Sequence, residues 1–265
     1  MSDIVTANAW SALRRLTQAR IALGRAGTSL PTQPHLEFQF AHARARNAVH
    51  HPLDEQAVCA GLAARGLQSF VVHSAAPDRA TYLQRPDLGR VPSQASQREL
   101  EQRGGHAAGE ACDIAIVVVD GLSAFAIEQN LLPFLDVLLP RLAAQNLRLA
   151  PVAVVRQGRV AIGDPVARAL GAKLVIVLVG ERPGLSSPDS MGIYLTWAPR
   201  LGTTDADRNC ISNVRREGLA YDDAAHKLNY LIDEAFRRQL SGVSLKDETA
   251  SPRQRLGGSR NFLLE

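Results

Sequence analysis

Two long runs of Val, Ile and Leu constrain the fold of this chain more than any other feature. They lie in DIAIVVVDG (113–121) and LVIVLVG (174–180). Strands that are buried on both faces have such continuous apolar runs, and they are typical of parallel sheets covered by helices. LRLAPVAVV (147–155) and MGIYLTW (191–197) are similar in composition and predict two further strands. We therefore expect an α/β fold with a Rossmann-like, mostly parallel sheet and helices on both faces.

Helical segments are predicted between these strands. Residues 122–145 predict a helix that is broken near Pro133 and Pro140, because proline removes a backbone donor and clashes with the preceding turn. A shorter helix is expected over 163–171, with Asp164 as its N-cap.

The N-terminal part predicts a smaller and largely helical lobe. Helices are predicted at 5–23, 52–66 and 93–103, a short strand at 68–74, and a long amphipathic helix near the other end of the chain at 221–241. The stretch 76–110 is rich in Pro, Gln, Ser, Gly and Arg and indicates a boundary. The predicted division is an N-terminal lobe and linker over 1–110, an α/β lobe over 111–245 and a flexible tail over 246–265.

Composition excludes several classes of protein. The 265 residues are 46% hydrophobic and 21% charged, as in globular domains, and contain no apolar run of about 18 residues that could span a membrane. The three cysteines form no CxxC pair, which is typical of a reducing cytoplasm. The first 50 residues are rich in arginine, but lysines and aromatics are scarce. This basic region therefore favours a protein partner over nucleic acid.

Polar residues follow two of the predicted strands. Asp120-Gly121 and the turn Gly180–Gly184 come directly after apolar runs. Ligands of open α/β sheets bind beyond the carboxyl ends of the strands, and glycine lets a backbone approach a ligand closely. Glu181 in the second turn could accept hydrogen bonds from a ligand, or it could form a solvated pair with Arg182.

Motifs that would indicate catalysis by this chain alone are missing. The sequence has no GxSxG, no GxxxxGK[ST], no GxGxxG and no HExxH. Cys210 has no nearby histidine in the sequence, so a small, partly buried thiol is favoured over a nucleophile. A binding module or one subunit of an enzyme fits this pattern. The alternative is a free-standing α/β protein that binds or hydrolyses a small ligand, with Asp120, Ser123 and Glu181 at the sheet edge.

Several segments resemble one known family in order along the chain. They are RIALGRAGTSLPTQ (20–33), TYLQRPDLGR (81–90), VVDGLSAFAI (118–127), VVRQGRVAIGD (154–164), GAKLVIVLVGERPGL (171–185) and APRLGTTDADRNCISNV (198–214). On these segments the chain resembles the small (light) subunit of ethanolamine ammonia-lyase, and the resemblance covers about residues 20–243.

The resemblance implies a subunit of an adenosylcobalamin-dependent enzyme that converts ethanolamine to acetaldehyde and ammonia by a radical mechanism. The large subunit of that family binds ethanolamine in a barrel, and the small subunit closes over the cobalamin at the interface between the chains. By this resemblance the α/β lobe is a cobalamin-binding lobe, no catalytic residue and no metal ligand is expected in this chain, and the chain alone is inactive. The resemblance also adds a bacterial microcompartment as an alternative to a purely cytoplasmic location.

The family's cobalamin contacts fall on three positions of this sequence. They are Val160 in QGRV, Glu181 in GERPG and Cys210 in RNCISN, the last identified by its context. The carboxylate of Glu181 suits the amide side chains at the rim of a corrin, and Cys210 is small enough for close approach.

The sequence also bears on which base coordinates the cobalt on the lower face of the cofactor. Cobalamin proteins that replace the cofactor's own base use a DxHxxG motif, and the nearest match here, Asp223 to His226, has a different spacing. The resemblance therefore implies base-on cobalamin, with His226 on a helix surface.

Overall fold

The computed structural model describes residues 4–106 and 112–249, and the fold is built on a six-stranded sheet. The strands are β1 (Ser69–His73), β2 (Ile114–Val119), β3 (Val152–Arg156), β4 (Leu174–Gly180), β5 (Met191–Trp197) and β6 (Arg208–Val214). Their spatial order is β1-β3-β2-β4-β5-β6. Strands β1, β3, β2 and β4 pair in parallel, and β5 and β6 add two antiparallel pairings. The predicted mostly parallel α/β sheet is therefore confirmed.

The two central strands are completely buried. Every residue of β2 and of β4 is buried, and the two strands pair from Ile114–Leu174 to Val119–Val179. Successive side chains of a strand point to opposite faces, so an unbroken apolar run needs cover on both sides. Helices supply this cover.

Seven α-helices surround the sheet in the described residues. They are α1 (Thr32–His50), α2 (Glu55–Ala63), α3 (Arg79–Gln84), α4 (Gln94–His106), α5 (Ala124–Ala144), α6 (Gly163–Ala169) and α7 (Tyr221–Arg238). Helices α2, α5 and α7 pack on the face that carries Ile114, Ile116 and Val118. Helices α4 and α6 pack on the face that carries Ala115, Val117 and Val119. None of the described helices combines the length and apolarity needed to cross a bilayer.

The last two strands run antiparallel because their connections are short. Only residues 181–190 join β4 to β5, and only 198–207 join β5 to β6. A parallel connection needs a crossover of a dozen or more residues. The sequence predicted β5 but missed β6, whose segment RNCISNV reads as polar.

The helix predicted over 5–23 is wrong. This segment holds only a 3-10 helix at Ser11–Arg15, and the side chains of Trp10 and Leu16 are 62% and 70% exposed. Most of the stability of an amphipathic helix comes from burying its apolar face, and no described element covers that face here. The first α-helix instead begins at Thr32, where no helix was predicted.

The predicted break in α5 is also wrong. The helix is continuous from Ala124 to Ala144 and contains both Pro133 and Pro140. A proline inside a helix costs about 3 kcal/mol. Burial offsets this cost, because Leu131, Phe134 and several further apolar side chains of α5 are fully buried against the sheet and α7.

The division at about residue 110 stays a prediction. Strand β1, which belongs to the predicted N-terminal part, is hydrogen-bonded to β3 along five residue pairs from Ser69–Val152 to His73–Arg156. The sheet is therefore shared by both predicted parts. The predicted tail beyond residue 249 lies outside the described residues.

Candidate functional site at the carboxyl edge of the sheet

A cavity of about 410 Å³ lies where β2, β3 and β4 end. It is lined by the last residues of β4, by residues that follow the three strands, and by two tyrosines: Tyr82, Gly121, Leu122, Gly158, Arg159, Val160, Val179, Gly180, Glu181, Arg182 and Tyr194. Two of the three predicted site residues, Val160 and Glu181, therefore line one cavity. This is the edge of the sheet at which open α/β folds bind ligands.

Two glycines let the turns after β2 and β4 pass close to each other. Gly121 has a φ of 59°, and a Cβ built on it would lie 2.2 Å from the carbonyl oxygen of Gly180. A Cβ on Gly180 would lie 2.0 Å from the carbonyl oxygen of Ser123. The backbone N–H of Leu122 donates to the Gly180 carbonyl at 2.9 Å. Any side chain at either position would force these two turns apart.

Asp120 fixes the turn after β3. Its carboxylate oxygens accept hydrogen bonds from the N–H groups of Gln157 at 2.8 Å and Gly158 at 3.0 Å. The guanidinium of Arg79 lies 3.9 Å away. Burial raises the pKa of Asp120, whereas the two N–H donors and Arg79 act in the opposite direction. Asp120 is thus a buried anchor of the cavity wall, and its acceptor groups face the protein.

Tyr82 forms the part of the wall that comes from α3. Its hydroxyl donates to the carbonyl of Gly158 at 3.0 Å, and the guanidinium carbons of Arg79 and Arg159 lie 4.7 and 4.3 Å from its ring centroid. Burial raises the pKa of Tyr82, so the phenol stays neutral. Arg79 Nη2 and Arg159 Nε are buried and have no hydrogen-bond partner in the described part of the chain. These two donors need an acceptor that the described residues do not supply.

Glu181 is held by three hydrogen-bond donors, one from the turn before β5 and two from β6. Its carboxylate accepts hydrogen bonds from the hydroxyls of Ser190 and Ser212, the latter at 2.5 Å, and from the N–H of Asn213 at 3.2 Å. A Cβ on Gly192 would lie 2.9 Å from Glu181 Oε1, so glycine makes room for the carboxylate. A carboxylate offers about four acceptor positions, so one further hydrogen bond can still be accepted.

Cys210 lies on β6 directly opposite Tyr194 of β5, a residue that lines the cavity. The residue is exposed as a whole, but partial burial of its sulfur raises the pKa of the thiol, partly opposed by a hydrogen bond from the Tyr194 hydroxyl. A raised pKa keeps the thiol protonated and disfavours a nucleophilic role.

Val160 begins a short 3-10 helix, Val160–Ile162, and is half-buried against the apolar cluster beneath α6. Its neighbour Arg159 donates its backbone N–H to the carbonyl of Gly89 at 2.7 Å. The structure therefore places Val160 and Glu181 in one cavity and Cys210 opposite Tyr194, which lines the same cavity. Their role in cofactor binding stays a prediction.

Asp164 does not cap α6 as predicted. The N-cap is Ile162, without a side-chain cap, and the Asp164 carboxylate instead forms a buried bidentate pair with Arg208 at 2.8 and 2.6 Å. The guanidinium also donates to Thr196 Oγ1 at 3.0 Å. An arginine counter-charge 44 residues away competes better for this carboxylate than a local N–H does.

Sequence reasoning missed Tyr82, Arg159 and Tyr194 as cavity residues. Two signals were available, because Tyr82 and Arg159 lie inside the segments that carry the family resemblance. Tyr194 gave no such signal, since its position depends on the antiparallel pairing of β5 with β4. His226 lies exposed on α7, as expected. The described residues contain no cluster of three His, Cys, Asp or Glu side chains that could hold a metal ion.

Comparison with known proteins identifies the family. Residues 7–246 match the family described as ethanolamine ammonia-lyase light chain. This chain belongs to that family. Similar relatives include the ethanolamine ammonia-lyase small subunits of Azotobacter vinelandii, 58% identical over 98% of this chain and 96% of the relative, and of Pseudomonas aeruginosa strain LESB58, 57% identical over 100% and 97%. The corresponding subunit of Ralstonia nicotianae is 57% identical over 98% of this chain and 96% of its own length.

Proposed function

We propose that this chain is the small subunit of an adenosylcobalamin-dependent ethanolamine ammonia-lyase and that it binds cobalamin at its interface with the large subunit. Membership of the family supports the subunit identity. The observation that carries the cofactor proposal is the cavity at the carboxyl edge of the sheet, which unites Val160 and Glu181 and lies beside Cys210.

The chemistry of the cavity fits the rim of a corrin. A corrin carries primary amides, which donate and accept hydrogen bonds. Glu181 has an acceptor position left for an amide N–H, and the unpaired Nε–H of Arg159, a residue that lines the cavity, suits an amide oxygen.

The size of the cavity supports a shared site. A cavity of about 410 Å³ holds only part of a corrinoid, so a second chain must cover the rest. We therefore place the cofactor between this chain and the large subunit. When bound, adenosylcobalamin supplies the radical chemistry that converts ethanolamine to acetaldehyde and ammonia.

The residues of this chain bind and orient the cofactor, and we propose no catalytic residue among them. Ser190 and Ser212 fix the Glu181 carboxylate before any ligand arrives, which reduces the cost of ordering it. Cys210 keeps a neutral thiol beside Tyr194. The proposed binding is base-on, so the cofactor keeps its own base, and His226, which lies exposed on α7, has no role in it.

The alternative, a free-standing ligand-binding or hydrolytic protein, needs Asp120 and Ser123 to face a ligand. Asp120 is 4% exposed and accepts two backbone N–H groups. The Ser123 hydroxyl is fully buried, donates to the carbonyl of Pro188 at 2.8 Å and accepts from the N–H of Ala126. Both side chains serve the fold, which weighs against this alternative.

Reconstitution tests the proposal. The isolated chain should show no ammonia-lyase activity, and mixing it with the large subunit should give activity that depends on added adenosylcobalamin. Cobalamin absorption that co-elutes with protein in gel filtration supplies an independent readout, since the cofactor should be retained only when both chains are present. Turnover by the isolated chain, or a mixture that binds no cobalamin, would contradict the proposal.

A further inference from the structure

A second and larger cavity lies on the face of the sheet that carries α4 and α6. It is a groove of about 670 Å³ between these two helices, the segment 90–92 and the loop 200–203. None of the predicted site residues lines it. We call it the α4–α6 groove.

The α4–α6 groove exposes apolar side chains that the fold leaves uncovered. Beyond residue 40, the described residues hold three exposed large apolar side chains, and two of them, Val91 and Leu201, line this groove. Leu201 is 90% exposed. Single exposed apolar residues are ordinary, but two that line one cavity mark an interaction site.

Arginines dominate the charge of the groove. Arg90, Arg168 and Arg200 line it, and none of them forms an ion pair with a carboxylate in the part of the chain that the structure describes. Of the two carboxylates in the lining, Asp164 is already neutralised by Arg208, which leaves Glu101. The groove therefore has an excess of positive charge around apolar surface, which complements an acidic segment with apolar side chains.

The groove adjoins the cavity at the carboxyl edge. Val160 lines that cavity, and the next residue, Ala161, lines the groove. A chain that closes over the first cavity can therefore continue into the groove across this single turn.

We propose that the α4–α6 groove docks an acidic, partly apolar segment of the ethanolamine ammonia-lyase large subunit. The inference rests on the proposed function, because the large subunit is the partner which that function requires. Leu201 and Val91 supply the apolar contact, and the three arginines supply charge complementarity. Arginine at an interface binds carboxylates in a bidentate geometry and is often among the residues that dominate affinity.

The test measures the dissociation constant of the full-length chain for the large subunit at several salt concentrations. We expect Arg168→Glu and Arg200→Glu each to raise the dissociation constant about tenfold at low salt, mainly by slowing association, with the difference shrinking as salt rises. Leu201→Ser should raise it with little dependence on salt. The matched control is Arg238→Glu, since Arg238 is exposed on α7 across the sheet and should leave affinity unchanged.

The outcomes separate this inference from the proposed function. Failure of the wild-type chain to bind the large subunit contradicts both. The groove inference alone is overturned if the wild-type chain assembles normally and binds cobalamin but the groove variants bind the large subunit as tightly as wild type. It is also overturned if the control variant weakens binding as much as they do. The isolated chain could also self-associate. If the groove variants abolished that self-association but left binding to the large subunit unchanged, the occupant would be a second copy of this chain, and the groove inference would be overturned. Unchanged urea midpoints verify folding, and Arg168→Gln and Arg200→Gln replace any reversal variant that fails to fold.

Discussion

The buried ion pair between Asp164 and Arg208 permits a quantitative test of how α6 is held against β6. The side chains are 9% and 1% exposed, and two hydrogen bonds of 2.8 and 2.6 Å join them. Two charge-assisted hydrogen bonds correspond to about 3–6 kcal/mol when one partner is removed, and loss of one member of a buried pair costs about 3–5 kcal/mol. We therefore expect Arg208→Met to lower the free energy of unfolding by about 3–5 kcal/mol.

A double-mutant cycle separates the charge from the packing. Asp164→Leu should also be strongly destabilising, because it leaves the buried guanidinium only the fully exposed carboxylate of Asp205, 3.8 Å away, as a counter-charge. The double variant should cost far less than the sum, since replacing both members of a buried pair by apolar residues is often nearly neutral. The matched control is Arg85→Met. Arg85 pairs with Asp87 at 2.7 Å, but the two side chains are 60% and 57% exposed, so we expect no measurable change in the free energy of unfolding.

Urea denaturation followed by circular dichroism at fixed pH gives the free energies of unfolding for all five chains. The slope with urea should stay constant, so that a shifted midpoint reports stability. The reasoning is refuted if Arg208→Met costs no more than Arg85→Met. It is equally refuted if the effects of Asp164→Leu and Arg208→Met add in the double variant, because independent effects exclude a pair.

Three further predictions concern the cavity at the carboxyl edge. Gly121→Ala should lower the urea midpoint more than Gly171→Ala. Both glycines have similar positive φ values, 59° and 66°, but only at Gly121 does a Cβ meet backbone, 2.2 Å from the Gly180 oxygen. Equal midpoints for the two variants would contradict the close approach of the two turns. Glu181→Ala should weaken cobalamin binding to the reconstituted complex by about 1–3 kcal/mol. Glu181→Gln should weaken it by less, since one acceptor oxygen survives. An unchanged dissociation constant for the alanine variant counts against Glu181 as a cobalamin contact. Cys210 should react with iodoacetamide more slowly at pH 8 in the folded chain than in urea, because its raised pKa lowers the thiolate fraction at that pH. The Cys210→Ser variant should retain most turnover of the complex. Rapid alkylation of Cys210 in the folded chain would indicate a nucleophile instead.

The core of the sheet could be predicted because burial on both faces leaves a direct mark on sequence. Strands β2 and β4 are buried at every position, so their segments are unbroken apolar runs. Strand β6 is an edge strand with only Arg208, Ile211 and Val214 buried, and its polar residues hide the pattern. Helix α1 was missed for a similar reason, because its buried positions are alanines, which give a weak apolar contrast.

The candidate site could be predicted only in part. The glycines after β2 and β4 and the carboxylate of Glu181 follow from the position of polar residues at strand ends. The partners of Glu181 could not be foreseen, because Ser212 and Asn213 reach it only through the pairing of β6 with β5. Asp164 shows the same limit, since a local capping pattern gave no sign of a distant arginine.

The pairing order of the strands also determines when the site can exist. The cavity takes its walls from segments as far apart as Tyr82 and Tyr194, and Glu181 is held by residues up to Asn213. During synthesis, a nascent chain that ends before Asn213 cannot present the complete site, even though β1 to β4 could already pair. Cofactor capture should therefore occur only after β6 has joined the sheet.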